Sequence, residues 1–244
     1  MSEINIKTRL EHGNDSLLTN ISKQQVLLEE LFILRKEIED LILIKIEERK
    51  EENQDRPKVI EKNILEDETQ LKINLRVKSF MFVLRQFFTK YFRALYQSRE
   101  ILGYLKVASP LPDLSVDKGI KDKLKKLISG SYEFDKDIIA RILEGSDFLI
   151  LSRVFRNSIK KYAILKTFSI NTDRPDIRII FPIDGEIKDD PTLEYVQEKH
   201  IVLDETECFT IKIGFLDNCL TYIDRLEQVL VEKLNEKNFF DDYL

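Results

Sequence analysis

The sequence VLLEELFILRKEIEDLILIKIEER, residues 26–49, decides the fold, because its apolar residues recur at the spacing of a long amphipathic helix. Steps of four and three residues form a heptad-like seam. A helix with such a seam is stable only when another helix or domain covers it. The seam therefore predicts packing on the protein's own domain or on another protein subunit, and we expect the second. The predicted partner-binding residues are Leu27, Leu31, Leu34, Ile38 and Leu41.

The next segment carries the opposite charge. Between Leu71 and Lys106 there are eight Lys and Arg residues against one acid, Glu100, whereas acidic side chains outnumber basic ones from Asp40 to Glu68. Phenylalanine and tyrosine at helical spacing predict a second helix over residues 69–107. Cations interleaved with aromatic rings are typical of nucleic-acid binders. The candidate contacts to an anionic partner are Arg76, Arg85, Lys90 and Arg93.

A second interpretation of this basic, aromatic helix needs no nucleic acid. Its aromatic side chains would face the core, and its cations would face acids of the first helix. The sequence favours this interpretation, because the phenylalanines fall at helical spacing and the complementary acids are in the same chain. Those acids are Glu37, Glu39, Asp40, Glu47 and Glu48.

Weak helix formers and prolines predict where the first helix begins and ends. The first twenty residues are polar and predict a loose arm, with Asn20 or Ser22 as the N-cap of the helix. Arg56-Pro57 biases the chain out of helix and predicts a break. We therefore expect an N-terminal arm and amphipathic helix over residues 1–57 and a compact domain over residues 58–244.

The compact domain is predicted to mix helices with a few strands. A short helical pattern runs from Asp135 to Leu143, and a heptad-like pattern from Leu216 predicts a C-terminal helix to about Asn235. Alternating apolar residues in segments 164–181 and 201–213 predict strands. The predicted fold class is α+β, mostly α, with an N-terminal helical arm, central helices, a small antiparallel sheet and a C-terminal helix.

The composition argues against most catalytic classes. The chain of 244 residues has 43% hydrophobic residues, enough for a core, but only two histidines and seven glycines. No histidine-based triad and no glycine-rich phosphate loop can be drawn, so we expect no enzyme activity and no cofactor. No apolar run is long enough to cross a bilayer and the N-terminus has no signal-peptide pattern, which predicts a cytoplasmic protein without membrane insertion.

One group of potential metal ligands precedes the C-terminal helix. A divalent cation could bind such side chains, but acidic loops between strands are usually only solvated, and we expect no metal site. The group consists of His200, Asp204, Glu205, Glu207 and Cys208.

Three segments, taken in order, are similar to one family. Leu95–Arg99 followed by Leu111–Ser115 (LPDLS) resembles a leucine-rich helix and turn of the lysozyme-like baseplate wedge subunits of contractile phage tails and type VI secretion systems. Ser158–Ile170 and Arg174–Ile187 resemble the last helix and hairpin of that family. The similarity spans roughly residues 80–187. The family's Glu-Pro-Arg motif would fall at residues 163–165, where this chain has Ala-Ile-Leu.

The resemblance implies a non-enzymatic wedge component in a bacterial cytoplasm that binds other baseplate subunits. Together with the predicted seam, it leads us to expect a structural subunit of a multiprotein complex, contacted through the N-terminal helix. The C-terminal helix, or the acidic tail Asn238–Leu244, is a further candidate contact. The alternative is a nucleic-acid-binding or chromosome-associated adaptor that uses the basic helix over residues 71–106.

Overall fold

The fold was determined as a computed structural model of the chain. It describes the backbone of residues 3–52, 68–98, 101–102, 136–145, 148–149, 152, 167–171, 176–182, 197–199, 207–211 and 213–241. Side chains are described for residues 15–48, 68–98, 101–102, 137–145, 148–149, 152, 214 and 216–241. The predicted domain boundary near Pro57 lies outside the described residues.

Helix α1 spans Glu3–Glu52 and is much longer than the sequence pattern indicates. The predicted loose arm is therefore wrong, because the buried face of α1 already begins at Leu17 and Ile21. Gln24 interrupts the apolar pattern between them and Leu28, which hides this early part of the face in the sequence. Asn20 is not an N-cap. It lies in mid-helix, where its side-chain amide donates to the Ser16 carbonyl at 3.0 Å and to Gln97 Oε1 at 2.8 Å.

Helix α2 spans Glu68–Gln97 and buries the predicted aromatic face. Leu75 is the exception, since it lies on the outer side of the helix and is half exposed. The helix ends ten residues before the predicted end, at Ser98, whose hydroxyl donates to the Leu95 carbonyl at 2.8 Å. Serine hydroxyls compete in this way with the helical hydrogen bonds of the backbone. The buried aromatic residues of α2 are Phe80, Phe87, Phe88, Tyr91 and Phe92.

The short helix α3 spans Lys136–Glu144, in agreement with the predicted helix at 135–143. Tyr222 caps the C-terminal end of α3, because its hydroxyl donates a hydrogen bond to the Ile142 carbonyl at 3.1 Å. The same ring passes over Gly145, and a Cβ at this glycine would overlap the ring carbons. Only glycine leaves room for this close approach, so packing against Tyr222 accounts for Gly145.

The four strands are β1 (Thr167–Asn171), β2 (Asp176–Pro182), β3 (Gln197–Lys199) and β4 (Glu207–Ile211). Their backbones pair antiparallel in the order β1-β2-β4-β3. Ser169 pairs with Arg178 in the β1–β2 hairpin, and Phe181 pairs with Phe209 between β2 and β4.

The C-terminal helix α4 spans Ile213–Asn235, close to the predicted helix. The chain then turns back at Asn238, which has a left-handed backbone with φ of 55°. The Phe239 N–H donates to the Leu234 carbonyl at 3.1 Å and the Asn238 N–H to the Asn235 carbonyl at 2.9 Å. Two such bonds around a left-handed residue form a Schellman motif, and the buried Phe239 and Leu234 supply its usual apolar contact.

The chain divides into two compact units. The first consists of Met1–Glu30, Leu84–Ile150 and Leu220–Leu244, and the second of Leu31–Val83 and Leu151–Cys219. The core of the first unit includes Leu17, Ile21, Leu84, Phe87, Phe88, Tyr91, Ile139, Ile142, Ile223, Leu226 and Leu230. The core of the second unit includes Leu31, Leu34, Ile38, Ile42, Ile73, Val77, Phe80, Met81, Leu216 and Cys219.

The predicted α+β fold class is wrong for the packed part of the protein. Among the residues with described side chains, 91% are helical and none lies in a strand, so the part of the chain in which packing is described is all-α. The physical reason is that long amphipathic helices with wide apolar faces cover one another. Every buried hydrophobic residue described lies on a helix or on the short turn next to one.

Candidate interaction surface

Four of the five seam residues predicted to bind a partner lie in the second unit, and Leu27 lies in the first. Leu31, Leu34 and Ile38 are buried, with Leu31 0% and Ile38 1% exposed, while Leu27 and Leu41 are half-buried at the edges of the seam. The periodicity therefore identified the buried face of α1. In the described structure its three central residues are covered by the chain itself, so a partner cannot reach them while the unit is folded.

Polar contacts on both sides of this seam show which helices flank α1 in the second unit. Glu37 forms an ion pair with Arg76 of α2, with Nε 2.7 Å from Oε2. On the other side, the Arg35 guanidinium binds the Asp217 carboxylate of α4 through two hydrogen bonds of 2.6 and 3.0 Å. Bidentate ion pairs of this kind fix the relative orientation of the two side chains as well as the distance between them. Arg35 and Glu37 lie on either side of the seam around the helix. The seam is therefore flanked by α4 on the side of Arg35 and by α2 on the side of Glu37.

A second apolar face of α1 points away from this core. We call it the outer face of α1 and define it by four exposed residues, Phe32, Ile33, Leu43 and Ile44. Residues two apart on a helix lie roughly 200° apart, so Ile33 is nearly opposite the buried Leu31. Ile33 is 58% and Leu43 53% exposed. Exposed apolar residues grouped on one side of a helix are typical of interaction sites.

The outer face is where exposed large apolar residues concentrate in the described part of the chain. Six such residues are exposed; four form the outer face, Val26 lies two turns earlier on the same helix, and Leu75 lies on α2. Scattered exposed apolar residues are ordinary on a protein surface, but a cluster on one side of one helix is not. The outer face is therefore the strongest candidate site in the described structure.

Of the predicted anionic-partner residues, Arg76 lies in the second unit, and Arg85, Lys90 and Arg93 lie in the first. Arg76 is engaged by Glu37, which supports the interpretation in which α2 cations face α1 acids. Arg85 is buried, with 8% exposed. Lys90 and Arg93 remain at the surface, and burial together with the charges of Lys23 and Arg93 lowers the pKa of the Lys90 ammonium. The remaining basic site thus consists of Lys23, Lys90 and Arg93 in the first unit.

The acidic tail is only partly described. Phe239 is buried in the first unit, and Phe240 packs edge-on against it with ring centroids 5.0 Å apart. The tail therefore folds back at these two positions. Residues 242–244 lie outside the described part, so the tail as a candidate partner contact remains a prediction.

A buried carboxylate in the first unit was missed by the sequence interpretation. Glu227 of α4 is 8% exposed and accepts a hydrogen bond of 3.3 Å from the Gln25 side-chain amide. Burial raises the pKa of this carboxyl above its ordinary value of 4.5; the Gln25 hydrogen bond opposes the shift and the charge of Asp224 adds to it. The only signal in the sequence was the neighbouring apolar Leu226, which placed residue 227 beside the seam of α4.

Glu227→Gln is expected to stabilise the protein at pH 7 and to have a smaller effect at pH 4. Because the folded state favours the protonated carboxyl, the cost of burying the charge is present above the raised pKa and disappears as pH falls towards 4.5. Thermal unfolding of both proteins between pH 4 and pH 8 measures this difference. Glu232→Gln, at an exposed position of α4, is the control; an equal gain there, or no gain at Glu227, would contradict the burial argument.

No cluster of metal-binding side chains occurs among the described residues. The group weighed in the sequence, from His200 to Cys208, lies outside the residues whose side chains are described. None of the helices described here is long and apolar enough to span a membrane.

Comparison with known proteins adds no relative. No protein-family model matches the sequence, and neither curated proteins nor solved structures give a significant match. The resemblance to baseplate wedge subunits therefore depends on the short sequence segments alone.

Proposed function

We propose that this protein is a non-enzymatic structural subunit of a multiprotein assembly, and that another subunit binds the outer face of α1. One observation carries the proposal: four large apolar side chains on one side of α1 are exposed while the opposite side of the same helix is buried. The proposal replaces Leu31, Leu34 and Ile38 as contacts, since these residues stabilise the fold.

The physical argument is the cost of exposed apolar surface. Burying a leucine, isoleucine or phenylalanine side chain completely is worth about 1.5–3 kcal/mol relative to full exposure. The four residues of the outer face are each exposed by 44–58%, so a partner that covers them gains a substantial part of this energy. A partner helix with two apolar pairs about three turns apart, and polar residues between them, fits such a face.

The finer form of the proposal is a baseplate component of a contractile secretion system or phage tail, located in the cytoplasm. It is based on the similarity of residues 80–187 to the wedge family. The residues of the outer face lie before this segment. They would therefore be a contact of this chain that the similarity does not cover.

The test is affinity capture from the native cells, comparing the tagged protein with a Phe32→Asp/Ile44→Asp variant. Both substitutions lie on the outer face and leave the buried seam intact, so the variant is expected to fold. We expect the unaltered protein to retain stoichiometric protein partners after nuclease treatment, and the variant to lose most of them. Mass spectrometry identifies the partners, and far-UV circular dichroism checks the fold of the variant.

Leu75→Asp is the control, because it places an aspartate at an exposed leucine of α2, outside the outer face of α1. This variant is expected to retain the partners. If the Phe32→Asp/Ile44→Asp variant captures the same proteins in the same amounts as the unaltered protein, the outer face is not their binding site and the proposal fails.

The second candidate function is a nucleic-acid-binding adaptor that uses Lys23, Lys90 and Arg93. The observation in its favour is that burial, together with the like charges of Lys23 and Arg93, lowers the pKa of Lys90; a bound phosphate would relieve the repulsion among the three cations. Against it, Arg76 is engaged in an ion pair with Glu37, and Arg85 is buried. Partners that disappear on nuclease treatment in the same capture experiment would move this candidate to first place.

A further inference from the structure

The outer face of α1 contains two oppositely charged side chains between its apolar ends. Lys36 and Asp40 are both exposed and lie one turn apart between the Phe32–Ile33 pair and the Leu43–Ile44 pair. Phe32, Lys36, Asp40 and Ile44 form a single row at intervals of four residues. Along this row the order is apolar, basic, acidic, apolar, over about 18 Å of helix.

This row is complementary to itself when a second copy runs in the opposite direction. With residue 38 as the midpoint, the Phe32–Ile33 pair of each copy meets the Leu43–Ile44 pair of the other. Lys36 of each copy comes to the level of Asp40 of the other, so the dimer contains two oppositely charged pairs across the contact. In a parallel arrangement Lys36 would meet Lys36 and Asp40 would meet Asp40, which charge repulsion disfavours.

We propose that the outer face of α1 binds a second copy of this chain, with the two α1 helices antiparallel about a twofold axis at the level of Ile38. The contact is isologous, because the same residues contribute from both copies. This inference rests on the proposed function in using the same face, and it names the partner. The resulting twofold-symmetric dimer can serve as a building block of a larger assembly.

The charges at the ends of the face set the strength of this dimer. Glu47 of each copy would face Glu29 of the other, because the two residues are also equidistant from residue 38. This repulsion weakens the dimer. The apolar area of the contact is also smaller than that of a standard stable interface, so we expect a dissociation constant in the micromolar range. Glu47→Gln removes the repulsion and is expected to tighten the dimer.

The experiment is sedimentation velocity of the full chain from about 1 to about 200 μM, a range that covers micromolar dissociation constants. Lys36→Asp and Asp40→Lys are each expected to weaken the dimer at least tenfold, because each places like charges opposite one another. An equimolar mixture of the two variants is expected to form a heterodimer, since two aspartates then face two lysines. The double variant Lys36→Asp/Asp40→Lys is expected to dimerise like the unaltered protein.

Two controls reverse charges at exposed positions of α4 in the first unit, whereas the outer face belongs to the second unit. Arg225→Asp and Glu232→Lys change the net charge as the test variants do and are expected to leave the dimer unchanged. Because all the substitutions are at exposed residues, each variant is expected to keep the helical content of the unaltered protein.

Three results would overturn the inference: a monomer over the whole concentration range, a dimer that single charge reversals leave intact, or a mixture of the two variants that does not pair. A monomer that still captures protein partners through Phe32 and Ile44 overturns only the second-copy inference. If the Phe32→Asp/Ile44→Asp variant keeps both the dimer and the captured partners, the proposed function is overturned as well.

Discussion

Leu31→Asp and Ile38→Asp are each expected to lower the free energy of unfolding by at least about 3 kcal/mol, which is large compared with the total stability of a typical domain. Both side chains are almost fully buried in the second unit, where a carboxylate would lose its hydration without gaining a partner. Urea unfolding followed by far-UV circular dichroism measures the loss. These substitutions disrupt the fold, so they cannot serve as tests of partner binding.

Phe32→Asp is the matched control for Leu31→Asp, because the two positions are adjacent in sequence but Leu31 is buried and Phe32 is exposed. Phe32 is 44% exposed, and we expect its replacement to change the free energy of unfolding by no more than about 0.5 kcal/mol. A loss as large as that of Leu31→Asp would mean that α1 buries a different face. The comparison thus tests the orientation of the helix independently of any partner.

The contrast between Leu31 and Phe32 also shows what the sequence could predict. The spacing of Leu31, Leu34 and Ile38 identified a covered face correctly, because helical periodicity reports which residues share a face. It did not report what covers the face. Residues 26–49 are apolar on more than one side of the helix, and only the positions of α2 and α4 show which side is inside.

The charge pattern of the sequence was informative in a similar, limited way. The acid-rich first helix and the basic second helix predicted ion pairs between them, and Arg76 with Glu37 is one such pair. Arg35 with Asp217, by contrast, joins residues 182 apart in sequence. No local spacing predicts a pair of that kind, since it depends on how α4 returns to α1.

The N-terminal part of α1 was misjudged for a physical reason. Gly13, Asn14 and Asp15 are poor helix formers, and their propensities together cost only a few kcal/mol, which packing commonly overrides. Leu17 and Ile21 supply that packing in the first unit. Glu227 is the opposite case: it is a charged residue that is buried because its neighbours on α4 pack in the core. Its residue type alone does not predict this burial.

Tyr91→Ala is expected to lower the free energy of unfolding by about 3–5 kcal/mol, and Tyr91→Phe to raise it by about 1 kcal/mol. The ring is 0% exposed; it stacks on Phe87 with centroids 6.3 Å apart and meets Phe92 edge-on at 5.6 Å. Its hydroxyl has no hydrogen-bond partner among the described residues, so removing the oxygen relieves a buried polar group. Chemical denaturation of the two variants measures both effects.

Tyr96→Phe makes the same chemical change at a half-buried position of α2 and is expected to give no stabilisation. Burial, and to a lesser extent the negative charge of Glu227, raises the pKa of the Tyr91 hydroxyl, which therefore stays neutral and contributes no charge to the core. If Tyr91→Phe instead destabilises the protein by 1 kcal/mol or more, the hydroxyl has a polar partner. The most economical candidate would then be Glu227, and combining Tyr91→Phe with Glu227→Gln would give less than the sum of the two effects, because both changes remove the same interaction.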